Sequence, residues 1–366
     1  MECSGKHIWN RCTRETLLGL TVDKPDEQIR KQVLDNWDHI AKPIDGLGRF
    51  ETLTAQIGAI QRTDQIDLAK KVVLIFCADN GIVEEGISQS GQEVTAAVAA
   101  KMGEKKSAVG KMAAVIGADT IPIDIGINQK ESIPGVLDKK IRCGTGNFRV
   151  EPAMTEDEAI RAVFTGIEMV SDCKKAGYRI LATGEMGIGN TTTSSAVAAV
   201  LLGCDVEEVT GRGAGLSEER LLHKKQVIAE AINKYELKQA DALSVLKTVG
   251  GLDIAGLAGV CIGGALFHLP VILDGVISMS AALLAERIVP GTKAYLLASH
   301  KGKEPAVERL TRELELKPVI DGEMALGEGT GAVMMLSLLD VALSVYQNRT
   351  TFPELQIKQY ERYLER

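Results

Sequence analysis

The chain has 366 residues, which exceeds the usual domain length of about 100–200 residues and predicts two domains or one large sheet domain with an appendage. Its 45% hydrophobic and 25% charged residues are typical of a globular protein, while 37 glycines and 4% aromatic residues favour an α/β fold with many tight turns. The net charge of −7 and the lack of a long basic run argue against nucleic-acid binding and favour a small-molecule partner.

The seven cysteines and five histidines are scattered along the chain. They form no CxxC pair and no spacing typical of a metal site, so we expect reduced thiols and no bound metal. The N-terminus lacks the apolar stretch of a signal peptide. The apolar stretch 252–273 contains Asp253 and a His-Leu-Pro break, which predicts a buried helix entering a strand. We therefore expect a cytoplasmic protein without a membrane span.

In chain order, helices are predicted first over residues 26–41 and 47–61, separated at Lys42-Pro43. Six short aliphatic runs then predict strands, at 71–79, 120–126, 179–185, 270–274, 294–299 and 318–321. Helical periodicity fills several of the intervals, including 216–234 and 239–249. Continuous apolar strands separated by helices predict a parallel sheet of about six strands, covered by helices on both faces.

The chain ends contain predicted helices without strands of their own. After the last strand, residues 331–346 predict a strongly apolar helix and residues 352–366 a charged, aromatic amphipathic helix. We expect the two chain ends, residues 1–65 and 331–366, to form a small helical domain. Residues 66–330 would then form the large α/β domain that carries the ligand site.

Polar residues end five of the predicted strands. Ligands of open parallel sheets bind at the carboxyl ends of the strands, so these side chains are expected to face one crevice. Each of them taken singly is also compatible with a helix cap or a turn. The five residues are Asp79, Glu185, Asp274, Ser299 and Asp321.

Two glycine-rich segments are candidates for binding a phosphate. GEMGIGNTT (184–192) leads from a strand into a helix, where unpaired N–H groups attract anions, and TGRGAG (210–215) is followed by Lys224 and Lys225. An ordinary turn capped by Asn190 or Thr191 is the alternative. Phosphate binding does not explain Glu185 beside the first segment, because a carboxylate repels a phosphate. Glu185 would therefore contact another group of the ligand.

Two further segments are rich in groups that could contact a ligand. The polar segment 78–95 follows the first strand, and its Ser88 or Gln92 could hydrogen-bond a heterocycle or a hydroxyl; a solvated surface loop is the alternative. In LGEGT (326–330), Glu328 lies between two glycines, from which its carboxylate can project into a crevice and accept a proton. Alternatively, Glu328 simply sits favourably near a helix N-terminus.

Seven segments, taken in order between residues 26 and 346, resemble those of the nicotinate-nucleotide–dimethylbenzimidazole phosphoribosyltransferases, which help to assemble the lower ligand of cobalamin. An ordered match of seven segments is far more specific than one glycine motif. The segments are KPIDGLGRFE (42–51), 78–95, GEMGIGNTT (184–192), TGRGAG (210–215), ILDGVISMSA (272–281), SHKGKEP (299–305) and LGEGTGA (326–332).

The resemblance implies a specific reaction and a Rossmann-like fold. The 5-phosphoribosyl group of nicotinate mononucleotide would pass to a lower-ligand base such as 5,6-dimethylbenzimidazole, with no cofactor, in a homodimer or in a heterodimer with a paralogue. Glu328 would be the general base, and Glu185 and Lys224 would lie on the nucleotide side of the site. The ribose and phosphate surroundings would be Gly187, Gly189, Asn190, Thr191, Gly211, Arg212 and Gly213. The acceptor pocket would include Ser88, Gln92 and Leu326.

Three departures from the family pattern leave the acceptor open. This chain has Asn80, Ser90-Gly91 and Ala325 where many members have histidine, an aromatic-proline pair and arginine. Transfer to phenol or p-cresol, giving an O-linked ribotide, is therefore an alternative. A non-catalytic subunit that supports a paralogous partner is another. A dinucleotide-dependent dehydrogenase fits less well, because GEMGIGN lacks the GxGxxG spacing.

Overall fold

A six-stranded parallel sheet forms the centre of the computed structural model, which describes residues 12–363. The strands are β1 (Lys71–Ala78), β2 (Asp119–Gly126), β3 (Leu137–Asp138), β4 (Ile180–Met186), β5 (Val271–Leu273) and β6 (Leu296–Ala298). Their spatial order is β3-β2-β1-β4-β5-β6, and every neighbouring pair is parallel. The order reverses between β1 and β4, so a crevice opens there at the carboxyl ends of the strands.

Fourteen α-helices surround the sheet in the described part of the chain. They are α1 (Arg14–Leu18), α2 (Glu27–Asp38), α3 (Arg49–Gln61), α4 (Glu93–Gly103), α5 (Ala108–Val115), α6 (Glu156–Lys175), α7 (Asn190–Leu202), α8 (Val206–Val209), α9 (Glu218–Lys234), α10 (Ala242–Val249), α11 (Leu252–Leu266), α12 (Val276–Ile288), α13 (Ala306–Glu313) and α14 (Thr330–Gln347). Two further strands, β7 (His300–Gly302) and β8 (Ile320–Met324), form a separate parallel pair.

Strand β1 shows how the sheet divides the core. All eight of its residues are buried, and successive side chains point to opposite faces. Leu74 and Phe76 join one apolar cluster, with helices that include α6 and α11, whereas Val73 and Ile75 join a second cluster on the other face, with α14. Burial on both faces explains why the strand is continuously apolar in sequence.

Helices α6 and α11 pack with their backbones in direct contact. A Cβ atom at Gly259 would lie 2.0 Å from the carbonyl oxygen of Val163, and one at Gly166 would lie 2.0 Å from that of Gly256. Only glycine allows this approach. The stretch 252–266 is therefore a buried helix that leads into β5, as its composition predicts.

The two chain ends meet on the second face of the sheet. The rings of Trp37 in α2 and Tyr346 in α14 lie 5.2 Å apart, and Asn36 Nδ2 donates to the Tyr346 hydroxyl at 2.9 Å. Helix α14 is long and apolar enough to cross a membrane by length and composition alone, but 56% of its most apolar window is buried inside the protein. A core helix has the same properties.

The α/β class with a six-stranded parallel sheet is confirmed, but two predicted elements are wrong. Residues 318–321 were expected to add a strand to the main sheet, whereas β8 pairs only with β7. The sixth strand of the main sheet is instead β3, whose two residues are exposed and carry no apolar run.

The second error concerns the predicted helix over 352–366, of which residues 364–366 lie outside the described part. Residues 352–356 form turns, and residues 357–363 have no regular secondary structure. Phe352 is buried against Tyr360, but Leu355 and Ile357 are about half exposed. Most apolar side chains of the segment do not pack on the rest of the protein, and a short helix without such packing is unstable in water.

Candidate active site

A cavity of about 330 Å³ opens at the carboxyl ends of β4 and β5. Its wall contains the residues that follow these strands, the residues before α14, and part of the loop that precedes α9. The lining residues with charged or polar side chains are Glu185, Asn190, Thr191, Asp274, Ser278, His300, Lys303, Glu304 and Glu328. The cavity therefore brings together segments that are far apart in the sequence.

Glu328 reaches the cavity from a turn with an unusual backbone. Gly327, Glu328 and Gly329 all have positive φ angles, of 80°, 61° and 96°, so the flanking glycines relieve strain that other residues would add. The Glu328 carboxylate accepts a hydrogen bond from the backbone N–H of Val109 at 3.2 Å, at the N-terminus of α5. The positive end of the α5 dipole thus faces the carboxylate.

Asp274 fixes this turn from behind. Its carboxylate accepts hydrogen bonds from the N–H groups of Gly329 at 3.3 Å, Gly331 at 2.8 Å and Ala332 at 3.1 Å. Burial raises the pKa of Asp274, although His300 and these N–H groups act in the opposite direction. The start of α14 is consequently attached to the end of β5.

Glu185 lies at the end of β4 in an acidic environment. Its carboxylate accepts a short hydrogen bond from Asn190 Nδ2, and the same nitrogen donates to Asp253 Oδ2 at 3.0 Å. Burial, with a contribution from the charge of Asp253, raises the pKa of Glu185 to about 8. Glu185 is therefore mostly protonated at neutral pH, which removes its repulsion toward a phosphate.

Lys224 lies behind the cavity wall and connects the two glycine-rich segments. Its side chain is fully buried, and Nζ donates to Thr191 Oγ1 at 3.0 Å and to the carbonyl oxygen of Gly211 at 3.2 Å. Burial lowers the pKa of Lys224 to about 8, against the attraction of Glu304. Glu304 in turn accepts the N–H of Gly213 at 2.8 Å.

The residues expected around the ribose and phosphate lie in three places. Gly187, Asn190, Thr191 and Gly213 line the main cavity. Gly189 and Arg212 line a smaller adjoining cavity of about 80 Å³, to which the other four also contribute. Gly211 lines neither cavity; a Cβ there would lie 2.2 Å from the Glu304 carboxylate.

The residues expected at the acceptor are not all together. Leu326 lines the main cavity, whereas Ser88 lines the smaller one. Gln92 lines neither, since its Nε2 donates to the Asn80 carbonyl at 3.4 Å and its Oε1 accepts from Asn128 at 2.7 Å. The structure thus separates Ser88 and Gln92 from Leu326.

The expectation that five strand ends share one crevice holds for Glu185 and Asp274, which line the main cavity. Ser299 is buried behind it and donates to the Asp274 carbonyl oxygen at 3.0 Å. Asp79 is also buried but lines neither cavity, and its carboxylate accepts the N–H of Asn128 at 2.8 Å. Asp321 was placed wrongly, because it lies on β8 of the separate small sheet, where it is exposed and pairs with Lys301 at 2.8 Å.

Sequence reasoning gave no role to His300, Lys303 and Glu304, which line the main cavity, or to the buried Asp253. His300 lines the main cavity, and its Nδ1 lies 2.9 Å from Ser299 Oγ; it belongs to the SHKGKEP segment, to which no role was given. Asp253 was considered only as a break in an apolar stretch. A fully buried carboxylate in an otherwise apolar helix was the available signal, since such a charge requires partners.

One carboxylate group in residues 12–363 has ligand atoms close enough to hold a cation, formed by Asp38, Asp45 and Glu51. Basic side chains already contact it. Arg362 pairs with Asp38 at 2.8 Å and with Asp45 at 2.7 Å, and Lys42 Nζ lies 2.6 Å from Glu51. The group is accounted for by these ion pairs.

Comparison with known proteins agrees with this geometry. Residues 22–357 match a family model described as phosphoribosyltransferase. A nicotinate-nucleotide–dimethylbenzimidazole phosphoribosyltransferase of Clostridium acetobutylicum is 41% identical over 336 residues, which cover 92% of this chain and 96% of the relative. The chain belongs to the nicotinate-nucleotide–dimethylbenzimidazole phosphoribosyltransferase family. The resemblance drawn from seven sequence segments is therefore confirmed.

Two more members of this phosphoribosyltransferase family support the assignment. The enzyme of the same name from Acetivibrio thermocellus is 40% identical over 344 residues, 94% of this chain and 97% of the relative. The crystal structure of CobT from Thermus thermophilus matches with a TM-score of 0.86 and 35% identity, and covers 91% of this chain and 100% of that one. This chain thus has the family fold.

Proposed function

We propose that this chain transfers the 5-phosphoribosyl group of nicotinate mononucleotide to 5,6-dimethylbenzimidazole or a similar cobamide lower-ligand base. Nicotinate is released, and an α-ribotide is formed for the nucleotide loop of cobalamin. The observation that carries the proposal is the position of Glu328 in one cavity with the glycine-rich turn of Gly187 and Asn190. No cofactor takes part in the proposed reaction.

Glu328 is proposed to act as the general base. One ring nitrogen of the benzimidazole forms a bond to C1′ of the ribose, while the glycosidic bond breaks and its electron pair stays on the nitrogen of the departing nicotinate. The proton on the second ring nitrogen passes to the Glu328 carboxylate, which removes the positive charge that develops on the base. The leaving nitrogen becomes neutral without a proton, so no strong acid is required there.

The opposite wall supports a role in binding the phosphoribosyl group. Asn190 and Thr191 begin α7 beside Gly189, so the positive end of this helix opens toward the cavities. Lys224 contacts Thr191 from behind and Lys303 lines the main cavity, so two basic residues accompany the glycines. Holding the phosphate fixes C1′ relative to the acceptor, and such positioning supplies much of a rate enhancement.

An apolar wall beside Glu328 suits an aromatic acceptor. Val98, Met186, Ala325 and Leu326 line the main cavity with Glu328. A planar heterocycle can pack on these side chains while its N–H group faces the carboxylate. Phenol or p-cresol is the alternative acceptor. Its acidic proton is on the attacking oxygen itself, so Glu328 would have to reach that oxygen and not a second ring nitrogen.

The test is an incubation of the purified chain with nicotinate mononucleotide and one acceptor at a time: dimethylbenzimidazole, adenine, phenol or p-cresol. Mass spectrometry of the product identifies the acceptor, and omission of the acceptor measures background hydrolysis. An N-linked ribotide of dimethylbenzimidazole is expected. An O-linked product would move the proposal to the phenolic acceptors, and no product from any acceptor would favour the non-catalytic subunit.

We also propose that the chain forms a homodimer through α14. Met334, Leu338, Val341 and Val345 are exposed at spacings that place them on one helix face, and Val341 is 69% exposed. Val341→Glu is expected to give a monomer by light scattering. Val150→Glu is the matched control, because Val150 is 67% exposed on a turn elsewhere. A monomeric wild type would instead favour a heterodimer with a paralogue.

The two-domain division and the location are proposed as well. Contacts of Trp37 with Tyr346, and of Arg362 with Asp38, support a small domain of residues 1–65 and 331–366 beside a large domain of 66–330. Limited proteolysis is expected to cut first near the exposed Gln65 and near the exposed Ala325, which precedes the buried start of α14. The scattered cysteines, with five free thiols between residues 77 and 261, support the cytoplasm, which cell fractionation would test.

A further inference from the structure

Asp253 is a fully buried carboxylate that touches the proposed site without lining it. It is the second residue of α11, an otherwise apolar helix. Its Oδ1 accepts the N–H of Ile254 at 3.0 Å, and its Oδ2 accepts Asn190 Nδ2 at 3.0 Å. The first contact fixes the carboxylate at the N-terminus of α11, and the second extends to the cavity wall.

The side-chain amide of Asn190 bridges two carboxylates. Its single nitrogen donates to Asp253 on one side and to Glu185 on the other. The Asp253 carboxylate oxygen accepts but does not donate, so the NH₂ group of Asn190, and not its carbonyl oxygen, must face Asp253. Asp253 consequently dictates which way the Asn190 amide is turned.

The glycine-rich turn is shaped around the Asp253 carboxylate. A Cβ at Gly187 would lie 2.7 Å from Asp253 Oδ2 and 2.5 Å from the Ala78 carbonyl oxygen. The second glycine of GEMGIGN thus leaves room for Asp253 as well as for a ligand. Three separate elements, namely α11, the turn and the first residue of α7, meet at this carboxylate.

We propose that Asp253 is a positioning residue, which holds the Glu185 carboxyl group in its orientation at the cavity wall through the Asn190 amide. This inference rests on the proposed function, because Glu185 can act on a substrate only if the cavity binds the ribosyl donor. Asp253 itself does not contact the substrate. A carboxylate is required at this position, since both of its oxygens must accept a hydrogen bond.

Asp253→Asn tests this requirement. Asparagine has one acceptor oxygen, so it cannot satisfy both Ile254 N–H and Asn190 Nδ2, and its NH₂ group must face one of these donors. We expect kcat for nicotinate release to fall by roughly 10-fold to 100-fold, as for a small misplacement of a reacting group. The affinity for nicotinate mononucleotide, measured by calorimetry, is expected to stay within about twofold, since the phosphate contacts are untouched.

Asp124→Asn is the matched control. Asp124 is also buried, its Oδ1 accepts a backbone N–H, that of Ile127 at 2.9 Å, and it pairs with Lys140 at 2.8 Å away from the cavity. It should lower the melting temperature without changing kcat. An equal loss of kcat in both variants would mean that Asp253 has a merely structural role and would overturn the inference.

The combination with Asn190→Ala decides whether Asp253 acts through the amide. In the Asn190→Ala background, Asp253→Asn is expected to cause no further loss of kcat, and the two losses of melting temperature should not add. Independent, multiplying effects on kcat contradict the inference. If Asp253→Asn does not fold, Asn190→Ala alone must lower kcat for nicotinate release, and normal turnover by this variant overturns the inference.

These outcomes are distinct from a failure of the proposed function. Nicotinate release by the wild-type chain tests the function, and the ratio between variants tests Asp253. If the wild type releases no nicotinate, the thermal-unfolding cycle of Asp253→Asn and Asn190→Ala still shows whether the two side chains are coupled. Additive losses of melting temperature would then reject the bridge.

Discussion

The turns that precede α7 and α14 are built alike, but the glutamate near each turn has a different position and different surroundings. In each, a strand is followed by a glycine-rich turn that ends with a glycine of positive φ, 94° at Gly189 and 96° at Gly329. A buried aspartate stands behind each turn, Asp253 behind the first and Asp274 behind the second.

The difference between the turns is where the glutamate lies. Glu185 is still in the strand, four residues before its cap glycine, and its carboxylate is held by Asn190 among other acidic groups. Glu328 lies in the turn itself, next to its cap glycine, and faces the N–H of Val109. A shift of a few positions along one type of turn therefore separates a carboxyl group that is kept protonated from one that faces a helix N-terminus.

The largest expected effect is that of Glu328→Gln. Loss of the proposed base should lower the rate of nicotinate release with dimethylbenzimidazole by roughly 100-fold to 10,000-fold, which is the usual contribution of general base catalysis. Single-turnover kinetics measures the rate.

Glu315→Gln is its control. Glu315 has a nearly identical backbone, with φ of 58° against 61° for Glu328, but lies outside the main cavity. It should retain the wild-type rate. A fully active Glu328→Gln enzyme would remove Glu328 from the mechanism.

Asp274→Asn should have the next largest effect. The variant keeps one acceptor oxygen for three N–H groups at the start of α14, so at least one buried donor loses its partner. We expect the free energy of unfolding to fall by about 1–3 kcal/mol, with a loss of turnover because the Glu328 turn is released. Urea unfolding measures the first effect. Unchanged stability would show that the turn does not depend on Asp274.

The pH dependence of stability distinguishes Glu185 from ordinary glutamates. Its pKa is raised from 4.5 to about 8, so between these pH values the folded state holds a proton that the unfolded state has lost. This contribution to stability is lost as pH rises through about 8. Glu185→Gln stays neutral, and its stability relative to the wild type should therefore increase from pH 6 to pH 9.

Urea midpoints of both proteins across that range measure the effect. Because the other titrating groups are common to the two proteins, the difference between them isolates position 185. Parallel curves would mean that the pKa of Glu185 is not raised in the folded protein.

The smallest effect is expected at Asp321, the strand-end carboxylate outside the crevice. Its exposed pair with Lys301 is worth about 0–1 kcal/mol, and it touches neither cavity. Asp321→Asn should therefore keep turnover within about twofold of the wild type in the same assay. A large loss of activity would add Asp321 to the site, beside His300, Gly302 and Met324 of the small sheet, which already line the main cavity.

Much of the fold could be predicted from the sequence because its signals are local. The apolar run of β1 and the apolar helical pattern of α14 need only their own residues to be recognised. In contrast, β3 is a strand only because it pairs with β2 at Ile123 and Asp124. The segment after residue 351 has helical periodicity but no surface to cover, which the sequence alone does not reveal.

The site could be predicted only in part for a similar reason. Glu185 and Glu328 stand in short glycine-rich motifs, whereas Asp253 acts across 63 positions on Asn190. Contacts of this range depend on how α11 packs against α6, and this packing depends on the glycine contacts of both helices. The polarity of Gln92 likewise indicated a ligand, but its side chain bonds to Asn80 and Asn128 instead.

The attachment of α14 to Asp274 has a consequence for synthesis on the ribosome. Val73 and Ile75 emerge early, but the helix that packs with them in the second core cluster is among the last elements to be made. A nascent chain that ends before residue 330 already contains the nucleotide side of the cavity. It still lacks α14, which bonds to Asp274 and covers the face of the sheet that contains Val73 and Ile75. Such a chain exposes apolar surface until translation is nearly complete, and a chaperone is the natural partner for that interval.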